Sequence, residues 1–103
     1  MSNHSNFNLD ASPEIIGGHP YTGPEVDMWS MGVMLYAMLV GAHAFPGNPD
    51  KVRSAILAGT YTIPHDMGLS PESIDLIKGL LTRDQHKRMT VEEVIRHKWL
   101  RAE

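Results

Sequence analysis

A chain of 103 residues with 42% hydrophobic and 20% charged residues has the size and composition of one small globular domain. Its net charge of −3 argues against nucleic acid as a partner, because nucleic-acid binding favours a basic surface. The chain has no cysteine, which excludes disulfides and thiolate metal sites. It shows neither a signal-peptide pattern nor the ~20-residue apolar run of a membrane span, which predicts a cytoplasmic or nuclear protein without a membrane anchor.

The first part of the chain divides into an arm and one helical turn. Residues 1–11, MSNHSNFNLDA, are polar and rich in Ser and Asn, a composition that predicts a flexible arm. Ser12 and Pro13 then predict a capped helix start, and Gly17 predicts its end after a single turn. The predicted globular part therefore begins at Ser12 and covers residues 12–103.

The longest predicted element runs from Asp27 to Val40, where all but three residues are apolar or aromatic. The apolar positions go right round the helix, which is typical of a helix buried on all sides at the centre of a domain. Thr22 and Glu25, three residues apart, predict a capping box at its start. Gly41 predicts its C-terminal end.

Three shorter helices are predicted after the central one. Asn48 begins the first, which Gly59 ends, and an extended or looped segment leads to Ser70, which begins the second. Thr90 and Glu93 predict a capping box for the last. That helix is predicted to carry three apolar residues, namely Val94, Ile95 and Trp99. The fold class predicted from these elements is all-α.

Four motifs, in order, resemble the C-terminal lobe of eukaryotic protein kinases. Ser12-Pro13-Glu14 resembles the A-P-E element, and Asp27–Gly32 resembles the D-x-W-S-x-G segment that opens helix F. The turn Gly41–Phe45 resembles G-x-x-P-F, and Leu80–Arg88 resembles L-L-x-x-D-P-x-x-R. The segment Pro20–Asp27 looks most like the calmodulin-dependent group, in the branch related to AMP-activated kinase. The resemblance implies a partial kinase C-lobe from a serine/threonine kinase.

The resemblance implies structural roles for four residues. Glu14 and Arg88 form an ion pair in the family, where the guanidinium grips the carboxylate through two parallel hydrogen bonds. The alternative is a pair of solvated surface charges. Asp27 and Trp29 match the anchor of helix F, where the aspartate accepts amide hydrogens from a catalytic loop that this sequence lacks. The alternative role for Asp27 is a favourable interaction with the helix dipole.

The methionines of the central helix have two interpretations. In the family, the positions of Met34 and Met38 support the stack of apolar side chains that leads to the adenine ring. The alternative is ordinary core packing. Without the rest of a kinase, the helix is also predicted to expose an apolar patch and to self-associate, through Met28, Trp29, Met31 and Met34. The helix within Asn48–Gly59 is the predicted contact for protein substrates or regulators, as its counterpart is in kinases.

The chemistry of phosphoryl transfer is missing from the sequence. A kinase needs a Gly-rich loop, a strand lysine with its glutamate partner, an H-R-D loop and a D-F-G aspartate for Mg²⁺, and none occurs between Met1 and Glu103. We therefore predict no catalytic residue, no bound cofactor and no metal site, with ATP and Mg²⁺ confined to an intact parent kinase. The alternative is a non-catalytic interaction module. Ala44 and Gln85 replace two family prolines and are expected to loosen their turns.

Overall fold

The computed structural model describes residues 11–101, and all regular structure in that range is helical. The elements are α1 (Pro13–Ile16), α2 (Gly23–Val40), α3 (Pro49–Ala58), α4 (Pro71–Leu80), α5 (Val91–Ile95) and α6 (Lys98–Arg101). The predicted all-α class is confirmed, whereas the predicted single last helix is two short ones, α5 and α6. The predicted flexible arm lies outside the described residues except for Ala11. No helix among residues 11–101 is long and apolar enough to cross a membrane.

Three helices begin at the predicted capping residues. The side-chain oxygens of Asn48 and Ser70 each accept the amide hydrogen three residues on, at 2.9 and 3.1 Å. At α5 the capping box is complete, because the Thr90 amide donates to Glu93 Oε1 at 2.8 Å and the Glu93 amide donates to Thr90 Oγ1 at 3.3 Å. Each bond pairs an amide that the first helical turn leaves free, so these starts are determined locally.

The two earlier caps differ from the prediction. Neither the Ser12 nor the Thr22 side chain accepts an amide hydrogen at its helix start. The Thr22 hydroxyl contacts the Glu25 carboxylate instead, so the predicted capping box is replaced by a pairing of the two side chains. The Ser12 hydroxyl is fully buried.

Helix α2 is buried on one face only. Its buried residues follow one side of the helix, namely Met28, Trp29, Gly32, Val33 and Tyr36. The opposite side carries a methionine stripe of Met31, Met34 and Met38, which are 38%, 61% and 75% exposed. The interpretation of the apolar pattern as a helix covered on all sides is therefore wrong for this chain, whereas the predicted exposed patch is present at Met31 and Met34. Composition shows that α2 is apolar all round, but the segments that pack on it within residues 11–101 leave the stripe open.

Two buried clusters hold the helices together, and α2 contributes to both. The larger one joins α2 to the turn that follows it and to α3 and α4, through Trp29, Val33, Tyr36, Ala44, Phe45, Val52, Ile56, Ile77 and Leu81. The smaller one joins α2 to α4 and α5, through Met28, Leu76, Leu80 and Val94. A Cβ atom built on Gly32 would lie 2.8 Å from Cβ of Leu80, so α2 and α4 approach each other closely at a position that only glycine fits.

Aromatic contacts fix the segment between α3 and α4. The rings of Trp29 and Phe45 stack at 5.5 Å, and the Tyr61 ring meets Phe45 edge-on at 5.9 Å. The buried Tyr36 hydroxyl donates to the carbonyl of Thr62 at 2.7 Å. This segment was expected to be extended or looped, and it is coil held in place by the core.

Candidate functional site

A buried ion pair joins the first helical turn to the link between α4 and α5. Arg88 Nη1 donates to Glu14 Oε2 at 2.8 Å, and Arg88 Nη2 donates to Glu14 Oε1 at 2.9 Å. The two residues lie 74 positions apart in the chain, and they are 3% and 4% exposed. The contact is the parallel two-bond geometry that a guanidinium and a carboxylate favour. The alternative of two solvated surface charges is therefore wrong.

The remaining guanidinium hydrogens of Arg88 also have acceptors. Nε donates to the carbonyl of Thr82 at 2.8 Å, Nη1 to that of Glu25 at 2.7 Å, and Nη2 to that of Arg83 at 3.2 Å. With the two bonds to Glu14, all five N–H groups are used, so the buried charge carries no unpaired donor. The guanidinium carbon also lies 5.1 Å from the ring centroid of Trp29, within cation–π range.

This arrangement, which we call the arginine clamp, ties α1, the first turn of α2 and the link after α4 to one side chain. Burial acts to raise the pKa of the Glu14 carboxyl, but the hydrogen bonds and positive charge of Arg88 outweigh it, and the pKa lies below its ordinary 4.5. The ion pair is consequently intact at neutral pH. Its chemistry is structural, since both charged groups are buried and fully engaged with each other and with backbone carbonyls.

The two predicted helix F anchors lie in different environments. Trp29 is fully buried, and its ring lies near both the Phe45 ring and the guanidinium of Arg88. Its indole N–H has no acceptor among residues 11–101. Asp27 is exposed in the second turn of α2, and its carboxylate has no hydrogen-bond partner in the same range. Contacts of Asp27 with a catalytic loop stay a prediction for an intact parent.

The methionines of α2 also lie in two different environments, exposed and buried. Met34 and Met38 are exposed on the methionine stripe, so their interpretation as ordinary core is wrong for this chain. Their support of an apolar stack in a whole kinase stays a prediction. Met28 and Trp29, which were predicted to be part of an exposed patch, are buried, because α4, α5 and the Phe45 turn cover that side of α2.

Beside the arginine clamp lies an open groove of about 930 Å³. The loop between α1 and α2 forms one wall, the link after α4 forms the other, and Leu57 of α3 lies at its edge. Gln85 crosses between the walls, since its side-chain amide donates to the carbonyl of Pro20 at 3.0 Å. Gln85 stands where the family has proline, and this replacement was expected to loosen the turn. In the structure Gln85 instead adds a hydrogen bond at this turn.

Sequence reasoning missed this bond and three bonds of histidine rings, one of which joins His97 Nε2 to Asp75 Oδ2 at 2.7 Å. His43 Nδ1 accepts the amide hydrogen of Phe45 at 3.0 Å and so holds the turn that contains Ala44. His97 Nδ1 accepts the amide hydrogen of Trp99 at 3.1 Å. Both bonds share a His-x-aromatic spacing, but His19 and Tyr21 have the same spacing without such a bond, so the spacing alone does not predict it. Among residues 11–101 the structure has no cluster of three or more potential metal ligands.

Comparison with known proteins places these features in a family. The protein kinase domain model matches residues 10–100. The probable serine/threonine-protein kinase MARK-A of Dictyostelium discoideum is 47% identical over 91 residues, which cover 87% of this chain and 8% of that protein. The serine/threonine-protein kinase SIK2 of Gallus gallus is 38% identical over 94 residues, which cover 90% of this chain and 12% of that protein.

A solved structure shows the same fold. The twitchin kinase region from C. elegans superposes with a TM-score of 0.85 at 32% identity, covering 93% of this chain and 17% of that one. The chain therefore spans only a small part of each of these relatives. The predicted resemblance to the serine/threonine kinases related to AMP-activated kinase is confirmed. The chain belongs to the protein kinase family, and its helices correspond to part of the C-terminal lobe of the kinase domain.

Proposed function

We propose that this chain is the C-terminal portion of a serine/threonine kinase catalytic domain, whose intact parent transfers phosphate from ATP to serine and threonine residues of proteins. The observation that carries the proposal is the family match over residues 10–100 together with the arginine clamp, which links the A-P-E turn to the last kinase motif. On this proposal, the arginine clamp stabilises the C-terminal lobe, against which the catalytic loop of the parent kinase packs.

The same proposal makes the isolated chain inactive. Phosphoryl transfer depends on positioning and on charge neutralisation by Mg²⁺, a lysine and an aspartate. Removing one stabilising donor commonly costs about a hundredfold in rate or more, and none of the kinase motifs that supply this lysine, this aspartate and the Mg²⁺ ligands occurs in the sequence. The buried charges that the chain does contain, Arg88 and Glu14, are bonded to each other and to carbonyls, so they offer nothing to a triphosphate.

Calorimetric titration of the purified chain with Mg-ATP tests this inactivity. We expect no adenine-selective binding, and inorganic triphosphate serves as the control for weak anion binding at a helix start. A labelled-phosphate transfer assay on a generic basic peptide accompanies the titration. Micromolar binding that requires the adenine, or transfer that survives repurification, would place an active site in this chain and overturn the proposal.

A second candidate function is a non-catalytic interaction module. The supporting observation is the groove beside the arginine clamp, which has proline and tyrosine side chains in its lining and Leu57 of α3, 37% exposed, at its edge. The exposed Arg83 and Asp84 place both signs of charge in the same groove. A short peptide with an apolar anchor and flanking polar groups fits this surface best.

A displayed peptide library tests the second candidate. The library is selected on the wild-type chain and then counter-screened on Leu57→Glu, which changes the edge of the groove. Ser54→Glu is the matched control, because Ser54 is exposed on the same helix but does not line the groove. Peptides that bind the wild type and Ser54→Glu but not Leu57→Glu support a module. Selected peptides that ignore Leu57→Glu would argue against a role for this groove.

A further inference from the structure

Two turns in the structure use a histidine ring in the same way. The Nδ1 atoms of His43 and His97 accept the amide hydrogens of the aromatic residues two positions on, Phe45 and Trp99. A ring nitrogen that accepts a hydrogen bond carries no proton. At His97 the proton of the neutral ring is therefore on Nε2, which lies 2.7 Å from Asp75 Oδ2 and donates to it.

His97 also holds almost the whole of α6. Its carbonyl accepts the amide hydrogens of Leu100 and Arg101, each at 3.1 Å, while its ring accepts that of Trp99. One residue thus pairs three amides at the start of a four-residue helix, the role that Ser, Thr, Asp or Asn plays at most helix starts. Trp99 in turn packs against the smaller core cluster.

The surroundings of the ring determine where a second proton would act. The His97 side chain is 9% exposed, and its charged partner, Asp75 of α4, is 75% exposed. Further charged groups line the shallow cavity between the start of α4 and the chain around His97, namely Glu72, Arg96, Lys98 and Arg101. Both ring nitrogens are engaged, so rotation of the ring cannot keep both bonds once each nitrogen carries a proton.

We propose that His97 is a proton-sensitive latch for α6. A second proton binds at Nδ1 and turns the acceptor of the Trp99 amide into a donor that faces it. The charged ring of His97 stays paired with Asp75 of α4, because the carboxylate of Asp75 attracts a charged ring more strongly than a neutral one. The segment that moves is α6, and Trp99 leaves the smaller cluster. The latch therefore opens when the ring gains this second proton, which a titration into acid detects.

NMR titration of the full chain from neutral pH into mild acid tests the latch. We expect the His97 ring carbons, the Trp99 amide and the Trp99 indole to change with one common midpoint. We also expect the exchange protection of the Leu100 and Arg101 amides to fall roughly fivefold, about the effect of losing a helix cap. The wild-type titration decides by itself: a His97 ring that titrates while the Trp99 amide and indole stay fixed, or one that never titrates, would overturn the proposal.

A variant that keeps the acceptor but cannot titrate adds a second test. His97→Asn retains a side-chain oxygen for the Trp99 amide, and we expect the acid response of Trp99 to disappear in it. His65→Asn is the control, because His65 is exposed in the loop before α4 and should leave the response unchanged. A Trp99 response that persists in His97→Asn would show that another group causes it.

Discussion

Replacing Arg88 by alanine removes the centre of the arginine clamp. The substitution deletes five hydrogen bonds and leaves the Glu14 carboxylate, 4% exposed, without its positive partner. Removing one side of a buried ion pair costs about 3–5 kcal/mol of unfolding free energy. For a domain of this length, about 1 kcal/mol shifts the melting temperature by about 4–8 °C, so the expected loss is about 12–40 °C.

Two matched variants separate the clamp from the loss of charge alone. Arg101→Ala removes an exposed arginine of α6 and should change the melting temperature little. Arg88→Lys keeps the charge, but its ammonium has three donors and no planar fork, so it should fall between wild type and Arg88→Ala. Thermal and urea unfolding followed by circular dichroism give the comparison. Equal shifts for Arg88→Ala and Arg101→Ala would refute the reasoning.

Three further predictions concern acidity, packing and association. Because the pKa of Glu14 is lowered in the folded chain, the stability that its carboxylate contributes is complete above the ordinary pKa of 4.5 and is lost as the pH falls through the pKa of the folded chain. The urea midpoint of the wild type should therefore drop in acid, and that of Glu14→Gln should drop less. Gly32→Ala should lower the free energy of unfolding by about 1–3 kcal/mol, because the added Cβ would meet Leu80. Gly23→Ala, which has open space around the added Cβ, should be neutral or slightly stabilising in the same unfolding experiments. The exposed methionine stripe should bind a hydrophobic dye and cause self-association in sedimentation runs, and Met34→Glu should reduce both effects. A wild-type chain that sediments as a monomer and binds no dye would show that the stripe is covered in solution.

The helix starts show how far local sequence determines this fold. Asn48, Ser70 and Thr90 cap their helices as predicted, because a cap needs only a side-chain oxygen within reach of an amide three residues on. Thr22 fits the same pattern, but its hydroxyl bonds the Glu25 carboxylate and not the Glu25 amide. The sequence pattern does not distinguish between these two partners. Local capping patterns therefore predict where helices begin more reliably than which side-chain bonds form there.

Contacts between distant residues required other information. Glu14 and Arg88 are 74 positions apart, and only the resemblance to kinase motifs suggested that they meet. An exposed patch on α2 was predicted, and Met31 and Met34 of that patch are exposed. Met28 and Trp29 are buried instead, because an all-apolar helix gives no sign of which side its neighbours cover. The bonds of Gln85 and His97 were missed because a glutamine or a histidine in a polar stretch has many possible partners, and the fold alone selects Pro20 and Asp75.

The mass of the native product in cells tests most directly whether this chain is part of a kinase catalytic domain. An antibody against the exposed segment His65–Gly68 would recover the product for mass analysis. The proposal predicts a species of the size of a complete kinase, which phosphorylates a protein substrate in the presence of Mg-ATP. A species near 11.5 kDa, the mass of this chain alone, would contradict it and favour the interaction module.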